Sequence, residues 1–493
     1  MYSNKILFCV FISIFKLYNG NTQIDVDTKQ RIEQIDRYLL DLTKEKKYSG
    51  GLLIIKDGTT LIKKGYGYAD RENHIPFSSN TLASIGSITK AFTAAAILKL
   101  VEQRKLNLED PLIKFFPDIP HDKSNITIHQ LLTHSGGFHE FLKKDGGDYE
   151  KIVKNEFLLR AFSEPLSFDP GKKAIYTNVG MSILAIIIEQ VSNLDYEQYL
   201  KINLFDKNGI KSIGYRYPIQ KMDSIAIGYQ NGVRWGTHQT HFDQAGGGPY
   251  WNLKGNGGLE ASLNDMEKWI NGITSERILT KASVDKMFTA QVKEDNLEGE
   301  YYFGYGCNIS KSQRNTKMIG NGGSNGIYYA RIIRLPEEGL VFYMVTNESS
   351  INTNMVLPNV TQLFFNGKID QDAIAIKPKF ESEQSKKIYD MLKVNDQIDL
   401  GVELNKAGIQ VDDDMVLLGV GQALMEERKF KSAYVLYHYY THAFPNIVVA
   451  WNDFGDVLLN LSNKEEAIRC YRNALKVRPG NPRAAEALKK LGQ

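Results

Sequence analysis

The arrangement of apolar and polar positions changes several times along the 493 residues. Residues 28 to about 48 read as a helix and lead into GLLIIKDGTTLIKKGYGYAD, two strand-like alternating runs hinged at Asp57-Gly58. Asp-Gly between two such runs is a good hairpin signal, because both residues tolerate the left-handed backbone that a tight turn needs. From Thr81 to Val101 the pattern becomes a long helix with few polar positions, and a second such helix covers Val179 to Val191. Helices apolar all round belong inside a large core. Strand-like runs return at YYFGYGCNIS, IYYARIIRLP and GLVFYMVTN, the last two joined by the turn Pro336-Glu337-Glu338-Gly339. The consistent fold class is α/β (α+β), an antiparallel sheet flanked by buried helices.

The chain is longer than one hydrophobic core usually holds, which predicts two or more domains. The main unit is expected over residues 28–366. A polar stretch, IDQDAIAIKPKFESEQSKK, then reads as a linker over 367–384. The region 385–493 is helical and repeats itself. Trp451, Phe454, Gly455, Leu458, Ala467, Tyr471, Ala474 and Pro479 find counterparts 34 residues earlier in Leu417, Val420, Gly421, Leu424, Ala433, Tyr437, Tyr440 and Pro445. Small residues at fixed positions let paired helices approach, large ones fill the gap, and prolines end the second helix. This tail resembles tetratricopeptide repeats, which implies a helical module and offers a surface for a protein partner.

At the N-terminus, Lys5 precedes an apolar run from Ile6 to Phe15, too short to span a bilayer. It reads as a secretory signal peptide over residues 1–20, so the mature chain is expected to be periplasmic or secreted, with no membrane span. After cleavage only Cys307 and Cys470 remain, far apart in the chain, so no disulfide framework is expected. Lys plus Arg number 60 against 57 Asp plus Glu, with no basic stripe to follow a phosphate backbone. Nucleic acid is therefore not an expected partner.

The chemistry centres on ASIGSITKAF. One helical turn separates Ser87 from Lys90, placing both on one face near the start of the first buried helix. A serine hydroxyl needs a proton acceptor to become a nucleophile, and an apolar setting disfavours the ammonium form of lysine. Ser283-Val284-Asp285-Lys286 shares the spacing, but in what reads as a surface helix. A second element is PGKKAIYTNVGMSIL, with Tyr176-Thr177-Asn178 just before the second buried helix; Tyr229-Gln230-Asn231 shows how easily so short a pattern recurs. Gly322-Gly323-Ser324-Asn325-Gly326 fits the G-x-S-x-G of a nucleophile elbow. That elbow, however, joins a strand to a helix, whereas Ser324 precedes the strand-like IYYARII.

The order S-x-x-K, then P-G and Y-x-N before a buried helix, then a Gly-rich turn opening a strand, resembles serine hydrolases related to class C β-lactamases, DD-peptidases and certain esterases. TIHQLLTHSGGF at Thr127 to Phe138 and GNGGLEASLNDMEKWI at Gly255 to Ile270 are similar to further segments of that family. The resemblance covers roughly Arg31 to Phe365 and implies a β-lactamase/transpeptidase-like sheet. It implies an acyl-enzyme mechanism on an ester, D-amino-acid peptide or related acyl substrate. By resemblance Ser87 is the nucleophile, Lys90 assists it, Tyr176 shuttles its proton and Asn178 hydrogen-bonds the substrate. Asn321-Gly322-Gly323 falls on the third family motif, with Asn321 where relatives carry Lys or His, and the N–H groups of Ser87 and Ser324 would form an oxyanion hole. A chain that keeps this fold but is catalytically silent, binding peptide or cell-wall ligands and partners through its repeats, is the alternative. No metal or organic cofactor is implied. His238, His241 and Asp243 in GTHQTHFDQAGGG could be metal ligands, but without a fixed scaffold they read as a polar loop. His134 reads as a histidine anchoring a loop near the cleft.

Overall fold

The computed structural model describes residues 26–493 except 46, 144–145, 216–223, 231–232, 296–298, 350, 370–382, 412–413 and 479–480. The expected signal segment and most of the expected linker lie outside the described residues, as does Pro479.

The Asp57-Gly58 hairpin joins β1 (Gly50–Lys56) to β2 (Thr59–Tyr66), with Asp57 at φ 48 and Gly58 at φ 76. Between them and the rest of the sheet come two short paired strands, β3 (Ala83–Ser84) and β4 (Glu260–Ala261). The remaining strands of the large sheet are β5 (Val292–Lys293), β6 (Tyr302–Phe303), β7 (Asn308–Lys311), β8 (Lys317–Ser324), β9 (Tyr329–Leu335) and β10 (Leu340–Thr346). Among the described residues eight strands form one antiparallel sheet in the order β2-β1-β10-β9-β8-β7-β6-β5. Gly50 lies opposite Thr346 and Lys56 opposite Leu340, so the first strand docks between the hairpin partner and the last.

Helices cover both faces. On one side α1 (Val26–Lys44) and α6 (Ile351–Asn366) bury Ile35, Leu39, Val356 and Val360 against Leu52, Ile54, Phe342 and Met344. On the other lie α2 (Thr89–Glu102), α3 (Asn178–Ser192) and α5 (Leu263–Thr274), packed with Leu53, Ile55, Tyr343 and Val345. This corrects the expected alternation in the first strand. Because β1 is covered on both faces, GGLLII is buried without interruption, as strands inside a layered fold must be. The helix expected from Thr81 also starts later. Residues 83–84 pair with β4, and Gly86 at φ 49 turns the chain into a 3₁₀ turn, Gly86–Ile88, that runs straight into α2.

Among the described residues the C-terminal region holds seven helices: α7 (Glu383–Val394), α8 (Leu400–Lys406), α9 (Met415–Glu426), α10 (Phe430–Ala443), α11 (Val448–Asn460), α12 (Lys464–Val477) and α13 (Pro482–Lys490). They enclose a core of their own. The 34-residue periodicity is visible as one repeated contact. A Cβ on Gly421 would fall 2.4 Å from the Tyr437 hydroxyl, and one on Gly455 would fall 2.6 Å from the Tyr471 ring. Each glycine is thus the close-approach point of a helical hairpin, α9/α10 and α11/α12. The last helix packs against the strand Val233–Gly236 of the main unit. Among the described residues no helix is long and apolar enough to cross a membrane.

Candidate active site

Ser87 sits at the centre of the 3₁₀ turn, before the first hydrogen-bonded turns of α2, where backbone N–H groups have no partner within the helix. One turn on, Lys90 is only 3% exposed. Its Nζ lies 3.1 Å from Ser87 Oγ, 2.6 Å from Asn178 Oδ1 and 2.6 Å from the carbonyl oxygen of Asn256. The last two are oxygens that only accept. They must therefore take two N–H bonds, which leaves the third direction on nitrogen pointing at Ser87. In the ammonium form that direction holds a proton, and in the amine form it holds the lone pair. Burial pushes Lys90 down from 10.5 to about 7, the charges of Glu140 and Asp148 working weakly against it. The amine is thus well populated at neutral pH.

Tyr176 approaches from the other side, its hydroxyl donating to Ser87 Oγ at 2.7 Å. Burial pushes this phenol well above its ordinary value, so it is a proton donor at neutral pH and not a phenolate. Its loop is stapled in place: Thr177 caps α3 by accepting from the Gly180 N–H, and its hydroxyl donates to the His139 carbonyl at 2.7 Å. The Asn178 N–H donates to the Glu140 carbonyl at 3.0 Å. His134, at φ 57 and buried, accepts from the Thr177 N–H at 3.2 Å and packs its ring 5.0 Å from Tyr176. Burial pushes it down to about 3, leaving it neutral.

The strand β8 closes the site. A Cβ on Gly323 would lie 2.1 Å from the Ile85 carbonyl and 2.6 Å from Ser87 N, and one on Gly86 would lie 2.7 Å from Ser324 N. Two glycines therefore permit a backbone-to-backbone approach that sets the Ser87 and Ser324 amides side by side. Ser324 Oγ is turned onto its own loop, accepting from the Gly326 N–H at 3.0 Å. The chain continues into β9 and not a helix, so no nucleophile elbow exists here.

The geometry thus gathers Ser87, Lys90, Tyr176, Asn178, Gly323 and the Ser324 backbone. Asn178 is engaged with Lys90, so its carbonyl oxygen orients the base. The Asn321 amide donates to the Gly306 carbonyl, and among the described residues it hydrogen-bonds neither Ser87 nor Tyr176. The second S-x-x-K match lies in a helix, Lys281–Met287, and Tyr229 of the second Y-x-N match bonds Glu72 at 2.6 Å. The expected polar loop at GTHQTHFDQ is instead a helix, α4 (His238–Gln244), and His238 is fully buried. The missed signal was Thr237-x-x-Thr240, a reciprocal capping pair. Asn256 was also missed as a partner of Lys90, because a backbone carbonyl leaves no trace in residue type.

A serine held between a buried lysine and a phenol, with paired amides beside it under an antiparallel sheet, defines a serine hydrolase of the β-lactamase type. The chain belongs to the β-lactamase family: residues 35–360, about two-thirds of its length, match the family described as Beta-lactamase. The putative penicillin-binding protein PbpX of Bacillus subtilis is 31% identical over 270 residues, 54% of this chain and 63% of that protein. The chain therefore spans less than two-thirds of that relative's own length. The octameric penicillin-binding protein homologue from Pyrococcus abyssi has 28% identity and a TM-score of 0.59, over 68% of this chain and 78% of that one. D-amino acid amidase from Ochrobactrum anthropi, at 20% identity and TM-score 0.58 over 68% of this chain and 99% of that one, shares the fold.

Proposed function

We propose that this chain is an active serine hydrolase, exported from the cell, that opens an ester, D-amino-acid peptide or related acyl bond through an acyl-enzyme. The observation that carries the reading is Ser87 Oγ held between Lys90 Nζ at 3.1 Å and the Tyr176 hydroxyl at 2.7 Å. Lys90 takes the Ser87 proton as Oγ attacks the carbonyl carbon, and the amides of Ser87 and Ser324 stabilise the oxyanion. Tyr176 then gives its proton to the leaving group, and the proton held by Lys90 restores the phenol. Deacylation repeats the sequence with water in place of the serine hydroxyl.

Export is supported by the apolar run Ile6 to Phe15. The helical tail is read as tetratricopeptide-like and as a docking module for a protein partner, supported by the repeated Gly421–Tyr437 and Gly455–Tyr471 contacts. A pull-down that recovers one partner equally well without residues 383–493 would overturn that part.

The test of the chemistry is covalent labelling by a fluorophosphonate probe, read by intact mass. Wild type and Ser324→Ala gain one adduct, and Ser87→Ala gains none. Labelling that survives Ser87→Ala and vanishes in Ser324→Ala would overturn the assignment. A folded wild type that never labels would favour the catalytically silent ligand-binding reading.

A further inference from the structure

The helix α4 carries a histidine that the mechanism above does not use. Thr237 and Thr240 cap its start reciprocally, the Thr240 N–H donating to Thr237 Oγ1 at 3.1 Å and the Thr237 N–H to Thr240 Oγ1 at 3.0 Å. That cap points the first helical side chain, His238, into the interior, where it is completely buried. Nδ1 lies 2.5 Å from the Tyr149 hydroxyl, and Nε2 lies 3.1 Å from Ser84 Oγ and 3.2 Å from Asn325 Nδ2.

The tautomer follows from Asn325. Its Oδ1 accepts from the N–H groups of Ile327 at 3.1 Å and Tyr328 at 2.9 Å, which fixes which end of the amide faces the histidine. The end that remains, Nδ2, only donates, so Nε2 must accept. A neutral imidazole then carries its proton on Nδ1, aimed at Tyr149. Burial keeps the ring neutral, pushing it down to about 3. Phe242 and Tyr328 lie nearly parallel to it at 5.8 and 5.9 Å, fixing its plane.

Both partners of Nε2 belong to the arms that present the oxyanion amides. Ser84 Oγ accepts from the Gly86 N–H at 3.4 Å, one residue before Ser87, and Asn325 directly follows Ser324. In strand pairing the arms are separate: Ser84 pairs with Glu260 in one small sheet, and Ser324 pairs with Tyr329 in the large one. A single ring nitrogen therefore ties together two segments that, among the described residues, no ladder joins.

We propose that His238 is a positioning residue, which as the Nδ1–H tautomer bridges Ser84 and Asn325 and so holds the Ser87 and Ser324 amides at one fixed spacing. The proposal rests on the serine hydrolase reading. Donors that drift from the developing oxyanion lose their advantage in the transition state, while ground-state binding is little affected.

The test compares two substitutions that each keep half of the ring's bonding. The amide of His238→Gln reaches the Nε2 position and can accept from Ser84 and Asn325, whereas that of His238→Asn reaches only the Nδ1 position. Turnover of a p-nitrophenyl ester and inhibition by phenylboronic acid, whose tetrahedral adduct places an oxygen in the oxyanion site, are measured on the full chain. His238→Asn is expected to lower kcat roughly 10- to 100-fold and to weaken the boronate by a similar factor, with KM changed less than about twofold. His238→Gln should recover most of both losses. Equal behaviour of the two variants, or a loss confined to KM, would overturn the proposal. Should His238→Asn not fold, Ser84→Ala removes one arm of the bridge with a smaller change: a severalfold fall in kcat and boronate affinity at unchanged KM supports the proposal, and wild-type values overturn it. A wild type that neither turns over ester nor binds boronate would instead overturn the hydrolase reading, before any variant is compared.

Discussion

If Lys90 is the base, activity must follow its amine form. Its burial places the midpoint near 7, so about three-quarters of the molecules carry the amine at pH 7.5. A lysine at the ordinary 10.5 would have only about one part in a thousand. The shift is therefore worth several hundredfold in competent enzyme at that pH. Below the midpoint, kcat/KM should fall about tenfold per pH unit. Above it the rate should stay level to at least pH 9, because the Tyr176 phenol titrates far higher. The assay is kcat/KM for a neutral fluorogenic ester between pH 5 and 9, corrected with Ser87→Ala. His134 does not explain such a limb, since burial holds it near 3. The limb should therefore survive in His134→Asn. Lys90→Arg, whose guanidinium stays charged, should lower kcat/KM by roughly 10³ and leave no ascending limb near 7. A wild-type profile flat from pH 5 to 9, or one still rising at 9, would refute the assignment of the base.

Three further outcomes follow from the geometry. Gly323→Ala should cut kcat at least tenfold and lower Tm, because the added methyl meets the Ile85 carbonyl at 2.1 Å; wild-type kcat would show that β8 and the Ser87 turn can separate freely. Glu260 is almost fully buried, and burial pushes the acid up to about 8, a hydrogen bond from the Gln239 amide offsetting only part. The folded chain thus keeps a proton that the unfolded chain loses above pH 4.5, so stability from this group falls as pH rises from about 4.5 to 8. Glu260→Gln should gain stability over wild type by more at pH 8 than at pH 5, by up to about 4 kcal/mol in urea melts, and an equal difference at both pH values would refute it. Asn321→Lys restores a charge at the third-motif position. It should shift the kcat/KM ratio toward a substrate bearing a free carboxylate over its methyl ester by roughly tenfold, and an unchanged ratio would mean that position 321 does not face the substrate.

Local pattern alone determined a good deal here. The Asp57-Gly58 turn, the two apolar helices, the order of the S-x-x-K and Y-x-N segments and the 34-residue spacing all depend on neighbours within a few positions or on a repeat. Such signals survive in one dimension. Ser324 was separable from a nucleophile elbow for the same reason, since the strand-like run that follows it is local. Tertiary structure decided everything that depends on what stands opposite a residue. Two covering layers make β1 buried on both faces, although its sequence was read as alternating. Gly86 and Gly323 are 237 residues apart, and only the docking of β8 on the Ser87 turn shows why both lack a side chain. The third partner of Lys90 is a backbone carbonyl, a group that every residue carries. Asn321 falls in what the sequence presents as a Gly-rich turn, yet pairing with β7 and β9 makes it part of β8, and its amide turns to the Gly306 carbonyl. His238 read as part of a polar loop because polarity in sequence says nothing about burial. Its role becomes visible only when Ser84, Tyr149 and Asn325 converge on one ring from three separate parts of the chain.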